Sequence, residues 1–320
     1  MTTCHNKFLL HPANDFIWNY DALLEFLIAN QGQSVIIDTN TEGVCLQAAG
    51  VYKLMKNFDF ADVQIYTSNL LEQHDQYQVH MRKPLQFFQV GHVNYTEYHN
   101  WNQNRIFAGL YNRPLWYRLG LAAEMQVNYP EQSVINLRAN PHDLDQVGLF
   151  EIQKLFENAP NSFAKFAQVM HTWPRQIESQ DGYTKGNNTT GHTDQLVNFY
   201  CDFLIDIVAE TWSQGNCFNP SEKTVRPMLL KKPMIVMGPI NYLEYLRQMG
   251  FRTFHDFWDE DYDGYQGKER YSKILQVMNT LSQMSVSQLE RMYWDMQYTL
   301  DHNYNLLASQ TYKRTVTHVV

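Results

Sequence analysis

The chain has 320 residues, 44% hydrophobic and 18% charged, with a formal net charge of −8. The hydrophobic content excludes a disordered polymer, and the length exceeds what one hydrophobic core ordinarily serves, so two domains or one large α/β domain are expected. Neither half of the chain is basic, which argues against a protein that grips nucleic-acid backbones with a dense Lys/Arg face, although a local basic groove stays open.

Four cysteines, Cys4, Cys45, Cys201 and Cys217, lack CxxC spacing, so free thiols in a reducing compartment are expected rather than a disulfide framework or a zinc knuckle. No basic start with an apolar stretch follows Met1, and no run approaches the roughly 18 apolar residues of a membrane span. A cytoplasmic protein is expected, in the host cytoplasm if the source is viral.

In chain order, Asp21–Asn30 has apolar residues at helical spacing and Gly32 breaks it. Ser34–Asp38 is a short β-branched run ending in an acid, and Val44–Phe58 again reads helical. Val63–Thr67 and Leu85–Val90 read as strands, Pro114–Gln126 as a helix, Ser133–Leu137 as a strand and Leu144–Asn158 as a helix. The polar stretch Arg175–Thr193 suits a linker or a lid. Beyond it, Phe203–Glu210 reads as a strand, Ser221–Leu230 as a helix, Pro233–Met237 as a strand and Ile240–Met249 as a helix. Gln266–Leu281 reads helical, and Val286–Thr311 as one or two long helices.

Strands alternating with helices predict parallel β-α-β units. The expected fold is α/β: two Rossmann-like domains with a helical C-terminal tail. Residues 1–174 form the first domain, 175–193 the linker and 194–320 the second. Ligands of such folds bind at the carboxyl ends of the strands.

The densest chemistry lies between Glu210 and Asp263. Ser221 suits an N-cap and Glu222 the first turn of a helix. Lys223 and Arg226, three apart, share a face. A helix start with two cations suits a diphosphate, and Glu210 and Glu222 suit ribose hydroxyls. The same residues suit an ordinary capped helix with surface cations.

Glu210-Thr211, Ser221-Glu222-Lys223-Thr224-Val225-Arg226-Pro227 and Pro233–Gly238 resemble the nucleotide-sugar half of GT-B glycosyltransferases. The similarity is greatest to the fucosyltransferase-like pattern, in which a Glu ends a strand and Thr-Glu-Lys opens the next helix. Tyr242 to Phe254, Asp259 to Asp263 and Arg270 resemble a family of glycosyltransferase-like proteins from phages and bacteria, as do Ile37, Asp38, Glu42 and Gly43 and the helix around Arg118. Ser221 and Thr211 depart from the fucosyltransferase pattern.

The resemblance implies transfer of a sugar from a nucleotide-diphosphate sugar to a hydroxyl acceptor: a modified DNA base, a protein or a glycan. It implies a GT-B cleft, no metal and no bound cofactor, with the nucleotide sugar as co-substrate. Glu210, Thr211, Ser221, Glu222, Lys223, Thr224 and Gly238 would hold the donor, and Lys223 and Arg226 would stabilise the leaving diphosphate. Glu42 would be the general base, with Asp38 and Arg118 as further candidates. A loop-capping role for Asp38 and Glu42 remains open, and so does a catalytically silent protein that keeps the fold.

Asp259-Glu260-Asp261-Tyr262-Asp263-Gly264 resembles the start of a calcium loop, but its twelfth position is Arg270, so a structural turn is expected. Among Tyr98, Trp101, Phe107, Tyr111, Trp116 and Tyr117, core packing is expected over ligand stacking.

Overall fold

A computed structural model describes residues 6–13, 16–17, 19–39, 43–82, 101, 105–111, 115–137, 160–172 and 199–309. These form an α/β architecture with two four-stranded parallel sheets, Rossmann-like in its alternation. The readings at Leu85–Val90, Leu144–Asn158 and Arg175–Thr193 lie outside the described residues.

The first sheet uses β1 (Asn6–Leu9), β4 (Ser34–Asp38), β5 (Asp62–Thr67) and β6 (Gln78–Met81) in that spatial order. A two-stranded antiparallel ribbon, β2 (Pro12–Ala13) with β3 (Phe16–Ile17), precedes α1 (Tyr20–Ala29). Gly32, with φ 74°, makes the left-handed turn into β4. The alternation Asp-Val-Gln-Ile-Tyr-Thr puts Val63 and Ile65 into the core and leaves Gln64 and Tyr66 half-buried on the other face. Only Val51–Met55 of the helix expected at 44–58 is α-helical (α2), because Gly50 with φ 76° breaks the chain before it.

The second sheet has the order β10-β9-β7-β8: β7 (Arg105–Tyr111), β8 (Ser133–Leu137), β9 (Phe203–Ala209) and β10 (Met234–Met237). Every residue of β9, an inner strand of a parallel sheet, is buried, and so is every residue of β10 at the sheet's edge. α3 (Trp116–Asn128) connects β7 to β8, and α5 (Glu222–Leu229) connects β9 to β10. α4 (Pro160–Val169) packs on α3 through Phe166 and Val169, with Lys165 paired to Glu124 at 2.6 Å. β7 and β8 precede the linker expected at 175–193 in sequence, yet they pair in one sheet with β9 and β10.

The strand order reverses between β7 and β9: β8 lies beyond β7, and the chain then crosses back to β9 on the other side. That is a topological switch point, where open α/β sheets leave a crevice beyond the strand ends.

α6 (Tyr242–Gln248), α7 (Gly267–Ser282), α8 (Val286–Asp295) and α9 (Gln297–Ser309) complete the chain. α8 starts on a capping box of Ser285 and Gln288. The acidic turn is structural. Asp263 accepts the main-chain N–H of Leu243 and of Glu244, both at 2.9 Å, so it caps α6 from 20 residues downstream. It also pairs with buried Arg270 at 3.0 Å. Arg270 donates through Nε and Nη2 to the Val236 carbonyl and through Nη1 to that of Pro239, binding the end of β10. Burial pulls its pKa down and Asp263 opposes this.

Lys232, 1% exposed, lies at the other end of the sheet. Its Nζ donates to the Phe203 carbonyl at 3.0 Å and lies 5.2 Å from the ring centre of Tyr293 on α8. Burial lowers its pKa from 10.5 to about 7, against the opposing fields of Cys201 and Asp202.

Trp101, Phe107, Tyr111, Trp116 and Tyr117 are all buried core residues, as expected; Tyr98 lies outside the described residues. Cys45, Cys201 and Cys217 are free thiols. Among the described residues no helix is long and apolar enough to cross a membrane.

Candidate functional site

The segment from Glu210 to Thr224 leaves the carboxyl end of β9 at the switch point and enters α5. Ser221 is its N-cap, with the side chain accepting from the Lys223 N–H. The Glu210 carboxylate organises the turn. Oε1 accepts from Thr224 Oγ1 at 2.6 Å, from the Tyr242 hydroxyl at 2.9 Å and from the Ser221 N–H at 3.2 Å. Oε2 accepts from Ser221 Oγ at 2.6 Å. Glu210 is 3% exposed, so these bonds form in a medium that strengthens them. The expectation that Glu210 presents its carboxylate to a ribose is corrected: both oxygens hold the loop.

Lys223 and Glu222 form the outer edge of the turn, 17% and 14% exposed at their side chains and paired at 2.9 Å. Lys223 Nζ also lies 3.1 Å from Ser221 Oγ. Burial pushes the Glu222 carboxyl up, but Lys223, with Arg226 behind it, outweighs burial and holds it below the usual range. Arg226, although three residues from Lys223, turns inward: its Nε donates to the Tyr200 hydroxyl at 2.7 Å, which donates to Asp206 Oδ2 at 2.6 Å. Burial raises the pKa of Asp206, and Arg226 and Tyr200 oppose it. This triad anchors α5 to β9.

Arg118, from the first turn of α3, fills the switch point. Its Nε and Nη2 donate to the Ala209 carbonyl at 3.2 and 2.9 Å, and Nη2 also to that of Glu210 at 3.1 Å. Tyr117 donates to the same Glu210 carbonyl at 2.6 Å. At 2% exposure, Arg118 sets the course of the chain beyond β9. Gly238 follows β10, where an added Cβ would meet the Tyr242 ring at 3.3 Å. Thr211 begins the loop and is half-buried.

The loop of residues 211–219 also meets the first sheet. Asn69, after β5, accepts from the Phe218 N–H at 2.8 Å through Oδ1, and its Nδ2 donates to the Asn216 carbonyl at 3.1 Å and to Glu72 at 2.9 Å. Cys217 Sγ donates to the Gly43 carbonyl at 3.1 Å, and Trp212 and Cys217 belong to the first sheet's core. Gly215 has φ 77°, and a Cβ there would lie 2.7 Å from that of Ala48. Burial raises the pKa of Glu72 against hydrogen bonds from Asn69 and the Leu46 N–H.

Asp38 ends β4 fully buried, with Oδ2 2.7 Å from Lys7 Nζ and 3.0 Å from Arg82. It is committed to these cations and is not brought to the α5 turn by any bond described. Glu42 lies outside the described residues. Among those described, no group of three or more His, Cys, Asp and Glu side chains could hold a metal ion. Sequence reasoning missed Tyr200, Asp206 and Asn69, and it named Tyr117 and Tyr242 without their contacts to Glu210, which lie 93 and 32 residues away in sequence.

Fold and site together define an α/β protein with two parallel sheets and a polar turn, carrying the Lys223–Glu222 ion pair, at a switch point. Compared with protein-family models, with curated proteins and with solved structures, the chain finds no match.

Proposed function

We propose that the chain is a glycosyltransferase of GT-B-like architecture, moving a sugar from a nucleotide-diphosphate sugar to a hydroxyl acceptor on a DNA base, a protein or a glycan. One observation carries this reading: the first turn of α5, with the Lys223 ammonium and the positive end of the helix, follows the strand that borders the switch point. Lys223 takes the diphosphate, and Glu222 exchanges its ion pair for the ribose. Arg226 supports Lys223 electrostatically from the Tyr200–Asp206 triad. Glu210, Ser221, Thr224 and Gly238 keep the turn in shape.

In the transfer, the acceptor oxygen bonds to the anomeric carbon and the carbon–oxygen bond to the diphosphate breaks. The electron pair leaves on the diphosphate, where Lys223 stabilises it. The acceptor proton passes to a carboxylate, for which Glu42 is the candidate. Asp38, already paired with Lys7 and Arg82, is the less available carboxylate.

A second reading is favoured by the Glu210 network. The carboxylate of Glu210 and the hydroxyls of Ser221 and Thr224 are all engaged internally, as in a binding or structural protein that keeps the fold without the chemistry. A thermal-shift series against UDP, GDP, CDP, ADP and their sugars, with and without Mg²⁺, separates the two. A shift with one nucleotide that disappears in Lys223→Ala, with the variant's own melting temperature nearly unchanged, supports the transferase. No shift at millimolar nucleotide favours the silent protein. A shift unaffected by Lys223→Ala removes α5 from the donor site.

A further inference from the structure

Asp38 ends β4 at the carboxyl end of the first sheet, and cations from both edges of that sheet converge on it. Lys7 belongs to edge strand β1, and Arg82 directly follows edge strand β6. Lys7 Nζ and Arg82 Nη1 lie against the same oxygen, Oδ2, at 2.7 and 3.0 Å, so the two nitrogens are themselves close neighbours. Arg82 reaches Asp38 across β5. Its guanidinium lies 5.9 Å from the ring centre of Tyr66, the residue beside Asp38 in the sheet register. Its main-chain carbonyl accepts from Ser68 Oγ at 2.6 Å, which fixes the backbone from which the side chain starts.

Neutralising one carboxylate needs one cation, and here two meet it, so the cluster keeps a surplus of positive charge. Asp38 is fully buried, whereas the side chains of Lys7 and Arg82 are 47% and 35% exposed. The positive side therefore faces outward. Arg82 gives Nη1 to Asp38, and its Nε and Nη2 have no partner among the described residues. Those two nitrogens form the edge of a guanidinium that receives two oxygens of an oxyanion side by side. The Lys7 ammonium, with three N–H donors, adds a further contact next to that edge. A carboxylate has only two oxygens for such donors, whereas a phosphate has enough to meet all of them. Open α/β sheets bind ligands beyond the carboxyl ends of their strands, where this cluster lies. Asp38 beneath it holds the cations at a fixed spacing, which lowers the ordering cost of binding.

We propose that Lys7 and Arg82, oriented by Asp38, form a binding site for a phosphate group, free or carried as a monoester on a larger molecule. Arg82 Nε and Nη2 take two of its oxygens and Lys7 Nζ takes a third. No described bond joins this site to the turn at Lys223, and the proposal does not depend on whether the chain transfers sugars.

The test is NMR of the full chain with isotope-labelled arginine, following the Arg82 Nε–H signal, which is assigned by its loss in Arg82→Lys. Inorganic phosphate and glucose 6-phosphate are titrated separately, with ionic strength held constant by sodium chloride. A saturating shift of the Arg82 signal is expected with at least one of them, at a dissociation constant on the order of 1 mM. The tighter of the two shows whether the phosphate is taken free or as a monoester. Lys7→Ala leaves Asp38 paired with Arg82, so the fold is kept, which its melting temperature checks. It should weaken binding by about fivefold or more, and Lys7→Arg should restore most of the loss. Lys223→Ala should leave the Arg82 titration unchanged, which keeps failure here distinct from failure of the donor site. An Arg82 signal unmoved by about 20 mM of either probe overturns the proposal. So does a shift that chloride reproduces at equal ionic strength, or an affinity that Lys7→Ala leaves intact.

Discussion

Lys232 makes stability depend on pH in a way that can be isolated. In the unfolded chain its amine titrates near 10.5, and in the fold burial lowers this to about 7. Between those values the unfolded state binds more protons, so the contribution of Lys232 to stability rises with pH across that window. Below about 7 the amine is charged in both states and the native state bears the whole desolvation cost. The fall in pKa corresponds to a cost on the order of 5 kcal/mol, with a slope of at most about 1.4 kcal/mol per pH unit. Lys232→Met keeps the aliphatic stem and removes the charge. It removes the Lys232 hydrogen bond to the Phe203 carbonyl, a loss of about 1–3 kcal/mol that does not vary with pH. Urea unfolding of both proteins from pH 6 to pH 10, followed by tryptophan fluorescence, gives the difference curve. The stability of Lys232→Met relative to the wild type should be greatest near pH 6 and should fall by several kcal/mol towards pH 10. Titrating groups remote from Lys232 largely cancel in the difference, whereas Cys201 and Asp202, coupled to its charge, contribute to it. A difference that stays constant across this range refutes the reasoning, since the amine would then titrate alike in both states.

Glu210→Ala should destabilise the fold by on the order of 4 kcal/mol, because Ser221, Thr224 and Tyr242 lose a buried acceptor together; equilibrium denaturation measures this. A loss under 1 kcal/mol would show that water replaces the carboxylate. Gly215→Ala combines a positive φ with a 2.7 Å Cβ clash against Ala48. It should lower stability by about 2 kcal/mol and speed hydrogen exchange at Phe218, whose N–H bonds Asn69; an unchanged Phe218 rate would show the loop yielding elsewhere.

Strands and helices with strong local patterns were legible in the residues. Ser34–Asp38 and Ser133–Leu137 have the expected bounds, and the helix after Ser221 starts on the expected cap. β7 was not read, although it is central to its sheet: Gly109 interrupts the run Ile106–Tyr111, and its aromatics drew the reading towards a cluster rather than a strand. β1 and β6, four residues each with half-exposed polar positions, carry too little pattern to stand out. At the site, spacing placed Ser221, Glu222 and Lys223 correctly on α5. It could not tell that Arg226 turns to Tyr200, 26 residues earlier, or that Arg118 reaches carbonyls 91 and 92 residues away. Helical periodicity fixes which side chains share a face, whereas the partner that receives them is fixed by the sheet.

The order of strands also bears on how the chain is made. The first sheet is complete by Met81, so its strands can pair early on the ribosome. Its core, however, borrows Trp212 and Cys217 from more than 100 residues later, and Asn69 waits 147 residues for Asn216. Between those points β7 emerges with one flank open until β9 is synthesised. A nascent chain halted before residue 203 therefore exposes both an unfinished core and the unpaired edge of a strand destined for the sheet interior. Closing the 211–219 loop onto both sheets is a late event, and it turns two incomplete folding units into mutually protected ones.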